Sequence, residues 1–334
     1  MYKFALLSNK DRDFVFNAVA TKKGLTKAIV EKDFWVCLML DYLFNKSVYK
    51  DLLTFKGGTS LSKGFNLINR FSEDIDLILN WECLGVSKDE PLLDRSNTKQ
   101  DLFNKELNER AGVFIKEKLL TELKTGLSNL LKTNVNIQID EKDNQVINFY
   151  YPKLYSSNSI LQFIRLEIGP LSALSPAEMV EIMPYASEVM EIAFKQKSTK
   201  VLTVSPKRTF WEKATILHRE ANRPKEKSMP LRYSRHYYDL YMMGHSIYKN
   251  EALKDYDLLN KVVKFKKKFY RDNWANYDQT LVGEFKLVPP SYRLAELEKD
   301  YKKMQEMLYG NIPTLNEILD YLKDLEKEIN SRYK

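Results

Sequence analysis

Apolar side chains recur at helical spacing through residues 10–46, where Ile29, Phe34, Val36, Leu40 and Leu43 mark a buried stripe that ends at Asn45-Lys46-Ser47. The period then shortens. Leu52-Leu53-Thr54-Phe55 has the length and side chains of a strand and stops at Gly57-Gly58. A helix is predicted next, with Thr59 or Ser60 as its cap and Leu61, Phe65 and Ile68 on its buried side. Asp74-Ile75-Asp76-Leu77-Ile78-Leu79 alternates and then turns wholly apolar, as a strand does when it passes from half-buried to buried. Residues 98–132 read as a long amphipathic helical zone, followed by strands at 134–140, 145–151 and 161–168 and a further one at 200–204. Ser205-Pro206 is a helix cap with the favoured first-turn proline. Beyond it the periodicity is helical almost to the end, punctuated by loops at 222–230 and 288–291. The pattern predicts an α/β part over residues 1–200 and a helical part over 201–334.

Composition removes several classes. With 334 residues, 44% apolar and 29% charged, and 11 Gly and 11 Pro, the chain is neither disordered nor collagenous. The longest apolar run, Phe34 to Leu40, is far shorter than the roughly 18 residues of a membrane span. The apolar stretch at residues 1–7 is too short for a secretory signal. Cys37 and Cys83 form no Cys-x-x-Cys pair, which excludes a zinc ribbon and a disulfide scaffold. A cytoplasmic protein without membrane association is expected.

The net charge of +8 is concentrated. Residues 200–235 hold ten Lys or Arg against three Glu, and residues 258–271 hold six basic residues and no acid. Such runs are commonly solvated helix faces. The second run, however, interleaves Phe265, Phe269 and Tyr270 with its lysines and then reaches Trp274. Cations that neutralise phosphates beside aromatics that stack on bases suit a nucleic acid. Both readings stand at this point.

The sharpest chemical signal joins Lys56-Gly57-Gly58-Thr59-Ser60 to Asp74-Ile75-Asp76. Strand residues two apart share a face, so Asp74 and Asp76 project together while Ile75, Leu77 and Leu79 enter the core. Two carboxylates roughly 7 Å apart repel one another unless a cation intervenes. A hard divalent ion that also takes substrate phosphates meets that need. The glycine turn would bring backbone N–H groups at a helix start close to a phosphate. The spacing is not that of a Walker P-loop. An Asp-x-Asp alone is common on exposed edge strands; preceded by strand, Gly-Gly and helix it points to phosphate chemistry.

Other candidates carry less weight. Glu167 shares a strand face with Arg165, so it either completes a carboxylate cluster with Asp74 and Asp76 or only contacts Arg165. Lys213 lies in an apolar stripe with Phe210, Ala214 and Leu217, which leaves it snorkelling outward or aimed at a phosphate. Arg235 and Asp239 are i, i+4 neighbours that could form a surface ion pair. His218, His236 and His245 show no metal-ligand spacing.

Val30-Glu31-Lys32-Asp33-Phe34-Trp35, Lys56-Gly57-Gly58-Thr59-Ser60-Leu61 and Arg70-Phe71-Ser72-Glu73-Asp74-Ile75-Asp76-Leu77 together resemble the AbiEii/MenT family of nucleotidyltransferase-like toxins. Arg208-Thr209-Phe210-Trp211-Glu212-Lys213 and Arg235-His236-Tyr237-Tyr238-Asp239-Leu240 are similar to the family's later motifs, in the expected order. The likeness covers roughly residues 10–250. It implies an α/β (α+β) fold, a polymerase-β-like nucleotidyltransferase core with a mixed sheet, and a helical C-terminal region contributing to the cleft. It further implies an Mg²⁺- or Mn²⁺-dependent toxin that transfers NMP from an NTP, with the 3′ end of tRNA or another RNA as acceptor, and a cognate antitoxin as partner. On that pattern Asp74 and Asp76 are catalytic metal ligands, with Glu167 a weaker third. Gly57, Gly58, Thr59 and Ser60 hold triphosphate, Lys213 contacts phosphate and Asp239 is the late catalytic aspartate. Where some members carry Arg-Asp, this chain has Arg235-His236, so Arg235 either orients Asp239 or touches phosphate. Two alternatives remain: an inactive nucleic-acid- or nucleotide-binding protein, and nucleotidylation of a small molecule or protein.

Overall fold

The computed structural model describes every residue except Glu73, Asn158, Ser159 and Lys334, so Glu73 of the Asp74/Asp76 motif lies outside the described residues. The chain falls into two compact units, Met1–Gly64 with Ser72–Val204 and Phe65–Phe71 with Ser205–Lys334.

The first unit is built on a seven-stranded mixed sheet. Its strands are β1 (Leu53–Lys56), β2 (Asp74–Leu79), β3 (Asn136–Ile139), β4 (Val146–Tyr150), β5 (Ile164–Gly169), β6 (Ala177–Ile182) and β7 (Thr199–Val204). They lie in the order β3-β4-β5-β2-β1-β7-β6. The pairs β1–β7 and β2–β5 are parallel and the others antiparallel. The mixed sheet is as expected. One strand escapes the sequence pattern: β6 is an edge strand whose Glu178, Met179 and Glu181 are exposed, so it carries no apolar stripe.

The helical stretch expected at 10–46 consists of α1 (Asn9–Lys23), α2 (Lys27–Asp41) and a π-helical turn at Tyr42–Lys46. Gly24, at φ +65°, ends α1 in the left-handed conformation that favours glycine. The Thr26 side chain then caps α2 by accepting from the Ile29 N–H. Helix α2 is buried on every side, with Phe34, Trp35, Val36, Cys37, Leu38, Met39 and Leu40 at most 2% exposed. Glu31, Lys32, Asp33 and Asp41 of this helix are buried too, and each has a partner. Glu31 accepts from the N–H groups of Leu154 and Tyr155 at 2.7 and 3.2 Å, and Lys32 donates to the Leu161 carbonyl at 2.9 Å. Helices α3 (Asn97–Phe114) and α4 (Leu120–Leu131) follow one another through a π-helical turn at Ile115–Leu119.

The helix after Gly57 is shorter than predicted. A single turn at Gly57–Thr59 widens into a π-helical turn at Ser60–Gly64 and ends there. Thr59 and Ser60 therefore sit inside the turn and do not cap it. Of the three residues expected on its buried side only Leu61 is there; Phe65 and Ile68 belong to the other unit.

The second unit holds α5 (Pro206–Ala221), α6 (Ser234–Gly244), α7 (Ile247–Leu253), α8 (Tyr256–Phe269), α9 (Leu294–Met304) and α10 (Leu315–Arg332). Pro206 opens α5 as expected, although the Ser205 side chain makes no capping bond. Phe210, Trp211, Ala214 and Leu217 of α5 are fully buried, and the Trp211 indole N–H donates to the Ala252 carbonyl at 3.1 Å. Phe65–Phe71 is tied in through its backbone. Phe71 donates to the Met307 carbonyl at 2.9 Å, Tyr309 donates to the Asn69 carbonyl at 3.0 Å, and Arg70 bridges Leu308. Among the described residues no helix is long and apolar enough to cross a membrane.

His218 is completely buried in this unit, its Nε2 facing the Asn276 carbonyl and its Nδ1 accepting from the Lys286 N–H, both at 3.1 Å. Burial pushes it down to about 4. The unfolded imidazole, titrating near 6.5, binds its proton first, so stability falls as pH drops below about 6.5. Between pH 7 and pH 4.5 this one group should remove about 2–3 kcal/mol from the unfolding free energy. Urea titrations at the two pH values should show it, and His218→Gln should flatten that part of the slope.

Candidate active site

The polar centre of the first unit is set by strand register. In the antiparallel β1–β2 pair Lys56 lies opposite Asp76, and the chain turns at Gly57 with φ +82°. A Cβ placed on Gly57 would stand 1.8 Å from Asp76 Oδ2. Glycine is thus required twice, once for the backbone angle and once so that the carboxylate can rest against the main chain. The Thr59 hydroxyl donates to the Asp74 carbonyl at 2.5 Å and the Ser60 hydroxyl to the Gly57 carbonyl at 2.8 Å, both side chains being 1% exposed. These hydroxyl protons hold the turn to β2 and to itself. What the turn can offer a phosphate is its backbone N–H groups.

On its other side β2 pairs in parallel with β5, placing Asp74 beside Arg165 and Asp76 beside Glu167. Asp74, Asp76, Arg165 and Glu167 therefore share one face, while Ile75, Leu77, Leu166 and Ile168 are buried on the other. Glu167 thus stands beside Asp76 and also contacts Arg165. Burial, with the charges of Asp76 and Asp74, pushes its carboxyl above the usual range, and Arg165 opposes this from 3.5 Å. Arg165 also lies 3.9 Å from Asp74 and 3.3 Å from Asp140.

Hard carboxylate oxygens on one strand face, crowded enough to disfavour ionisation of the third, are a donor set that suits Mg²⁺ or Mn²⁺. Asp74 and Asp76 would hold the ion. Among the described residues no three Asp, Glu, His or Cys groups are placed to share one ion.

The second unit has its own ion cluster. Asp239, fully buried, accepts from Arg70 at 2.8 and 3.1 Å and from Lys213 at 2.7 Å. Lys213 Nζ also lies 3.1 Å from Nδ1 of the buried His236. Lys213 does not snorkel: its ammonium turns inward to Asp239. Burial acts to raise Asp239, but Arg70 and Lys213 outweigh it and hold the carboxyl well below the usual range. Burial lowers Lys213, with Asp239 opposing and Arg70 and Arg235 adding to the effect. Burial and the adjacent Lys213 drive His236 far below 6.5, so its neutral ring accepts from the ammonium. The surface pair expected between Arg235 and Asp239 is not formed. Arg235 is exposed and makes no hydrogen bond or ion pair among the described residues, because Arg70 has taken its place. Arg70, which the sequence offers only as the first residue of the Arg70–Leu77 motif, was given no role there. Its signal was a lone arginine set between Ile68 and Phe71 just ahead of the carboxylate strand.

A mixed sheet whose glycine turn abuts a central strand with paired carboxylates defines a nucleotidyltransferase core. The chain belongs to the AbiEii family of nucleotidyltransferase toxins: residues 39–324 match the family described as "Nucleotidyl transferase AbiEii toxin, Type IV TA system". Among solved structures it is similar to MenT4, a nucleotidyltransferase toxin from Mycobacterium tuberculosis, at 16% identity and a TM-score of 0.47 over 97% of this chain and 99% of that one. It is also similar to JHP933 from Helicobacter pylori, at 15% identity and a TM-score of 0.35 over 93% and 100%. No curated protein matches the sequence. Membership of a type IV toxin–antitoxin family implies an antitoxin partner.

Removing one side of a buried ion pair strands the other. Asp239→Ala leaves Arg70 and Lys213 buried without their anion and should cost about 3–5 kcal/mol. Lys213→Met leaves Asp239 held by Arg70 and should cost less, about 1–3 kcal/mol. Denaturant unfolding of the two variants checks the order, and the reverse order would contradict the cluster.

Proposed function

We propose that this chain transfers a nucleoside monophosphate from an NTP to the 3′ end of an RNA in the cytoplasm, with the acceptor end of tRNA as the first candidate. The observation that carries the reading is the position of Asp76, fixed between the Cβ-less Gly57 on one side and Glu167 on the other. Asp74 and Asp76 would hold Mg²⁺ or Mn²⁺, which when bound neutralises charge on the reacting phosphates and acidifies the attacking hydroxyl. The backbone N–H groups of the Gly57-Gly58 turn would face the triphosphate, with Thr59 and Ser60 keeping the turn in place. Glu167 adds a third negative charge to the same face and serves as the weaker ligand candidate. Lys213 and Arg235 are assigned to phosphate, and Asp239 to holding Lys213, on the family resemblance together with the buried Lys213–Asp239 pair.

The basic run of α8 supports an RNA acceptor. Leu258, Leu259, Val262, Val263, Phe265 and Phe269 are buried, which turns Lys261 and Lys264 outward. Lys267 is exposed and paired with Asp278 at 2.7 Å. A second reading, a nucleotide-binding protein without turnover, draws on Arg165, whose guanidinium lies among Asp74, Asp140 and Glu167 and already offsets part of their charge.

Incubation with labelled NTPs, Mg²⁺ and total RNA, set against a panel of small molecules and proteins, separates these. Label on RNA supports the proposal; tight NTP binding without label on any acceptor supports the second reading. In cells, expression should arrest growth, and Asp76→Ala should relieve the arrest while the protein stays soluble and folded. An arrest that persists with soluble Asp76→Ala would refute the catalytic role. RNA affinity should fall with salt by a slope of about −0.7 per phosphate contacted. Replacing Lys261, Lys264 and Lys267 with Gln should flatten that slope by about 2 units if all three meet phosphate. Equal slopes would leave α8 a solvated face.

A further inference from the structure

The turn that begins at Gly57 is held at its far end by an ion pair from which water is almost excluded. Lys63 Nζ lies 2.8 Å from Asp33 Oδ1, with side-chain exposures of 8% and 3%. The other oxygen of Asp33 accepts from the Tyr185 N–H at 2.7 Å, and Lys63 Nζ stands 3.7 Å from the centre of the Tyr185 ring. Glu188 is a second, more distant acid at 4.0 Å. Gly64, which ends the turn, faces β6, where a Cβ would make ordinary contact with Val180 at 3.4 Å.

A buried ion pair is a weak device for stability, because desolvation offsets most of its attraction. Its attested use is to fix one arrangement among several that apolar packing alone would allow. The arrangement at stake here is a π-helical turn, a rare local geometry that concentrates at functional sites. Apart from the pair, the turn is held by the buried Leu61 and by hydroxyl bonds of Thr59, Ser60 and Ser62, two of which stay within the turn itself. Asp33 is rigid in its own right: it projects from α2, whose neighbouring Glu31 and Lys32 are tied to the backbone of Leu154, Tyr155 and Leu161. Burial acts to lower Lys63, and Asp33, Cys37 and Glu188 outweigh it, so the ammonium keeps its proton.

We propose that Asp33 and Lys63 are positioning residues for the nucleotide: they fix the pitch of the Gly57–Gly64 turn and hence the aim of its first N–H groups, without touching the substrate. This rests on the reading of the Gly57-Gly58 turn as the NTP seat. Glu31 and Lys32 beside Asp33 serve the loop that follows β4, whereas Asp33 serves the turn, which divides one short acidic-basic motif between two tasks.

The test uses the full chain and compares Asp33→Asn, Lys63→Met, Lys63→Arg, the Asp33→Asn/Lys63→Met double variant and Gly57→Ala. Initial rates of labelled NMP transfer are measured against NTP concentration, and amide hydrogen exchange is followed without nucleotide. Each of Asp33→Asn and Lys63→Met should raise the KM for NTP by about tenfold or more. The double variant should raise it no further, because the two residues act as one unit. Lys63→Arg, which keeps the cation, should recover most of the wild-type KM. Exchange should quicken at residues 57–64 while the amides of β2 stay protected. A KM that stays at the wild-type value in both single variants, with kcat falling only as the folded fraction falls, reduces the pair to a structural role and overturns the proposal. If Gly57→Ala raises KM and the pair variants do not, positioning alone fails. If Gly57→Ala also leaves KM unchanged, the NTP seat is elsewhere and both readings fall together.

Discussion

The contact on which the polar face depends is that of the Asp76 carboxylate with the bare Cα of Gly57. No other residue could occupy position 57 without displacing that carboxylate, since the missing Cβ would overlap its oxygen. The constraint runs both ways. Strand β2 is central, hydrogen-bonded to β1 on one side and to β5 on the other, so it has no free edge along which to shift and relieve crowding. Asp76 is thereby confined between the glycine turn and Glu167. Burial, and after it the like charge of Asp76 and Asp74, raises the affinity of Glu167 for its proton. The negative charges of this face are held together by the backbone, with Arg165 beside them.

The helical unit handles charge in the opposite way. In its ion cluster the acid, Asp239, is fully buried, and the bases Arg70 and Lys213 are drawn in around it. Arg70 brings a planar fork that takes both carboxylate oxygens, which leaves Lys213 as a point charge sharing one of them. The neutral His236 completes the shell by accepting from the ammonium without adding charge of its own. An apolar substitute for this cluster would be cheaper to bury. What the cluster secures is the orientation of one lysine ammonium to within the tolerance of a hydrogen bond.

Much of this was legible from residue order, because the fold's periodicities are simple where its strands are central. Asp74 and Asp76 on one face, with Ile75 and Leu77 on the other, follow from alternation alone. The placement of Glu167 beside Asp76 required knowing which strands are neighbours, and alternation is silent on pairing. The edge strand β6 was invisible because Glu178, Met179 and Glu181 are exposed and leave no alternation to read, whereas β3 at the other edge keeps a buried Ile137 and was legible. Helix length failed at Gly57 for a related reason: apolar residues at Leu61, Phe65 and Ile68 keep a helical period although the chain leaves the helix at Gly64, and Ile68 is buried in a different unit. Asp239 was paired with Arg235 because the two are close along a helix. The actual partner, Arg70, lies far away in sequence, and no local rule reaches it.

The seven residues Phe65–Phe71 have a consequence for how this protein can be divided. The backbone leaves the sheet unit at Gly64, contributes Arg70 to the helical unit, returns at Ser72 to form the carboxylate strand, and departs for good after Val204. A cut at the last of these crossings would yield an N-terminal fragment carrying Arg70 without its carboxylate. The C-terminal fragment would carry Asp239 without its guanidinium. A boundary drawn there divides one buried ion cluster between two fragments, so the two units cannot be separated at a single point of the chain without breaking it.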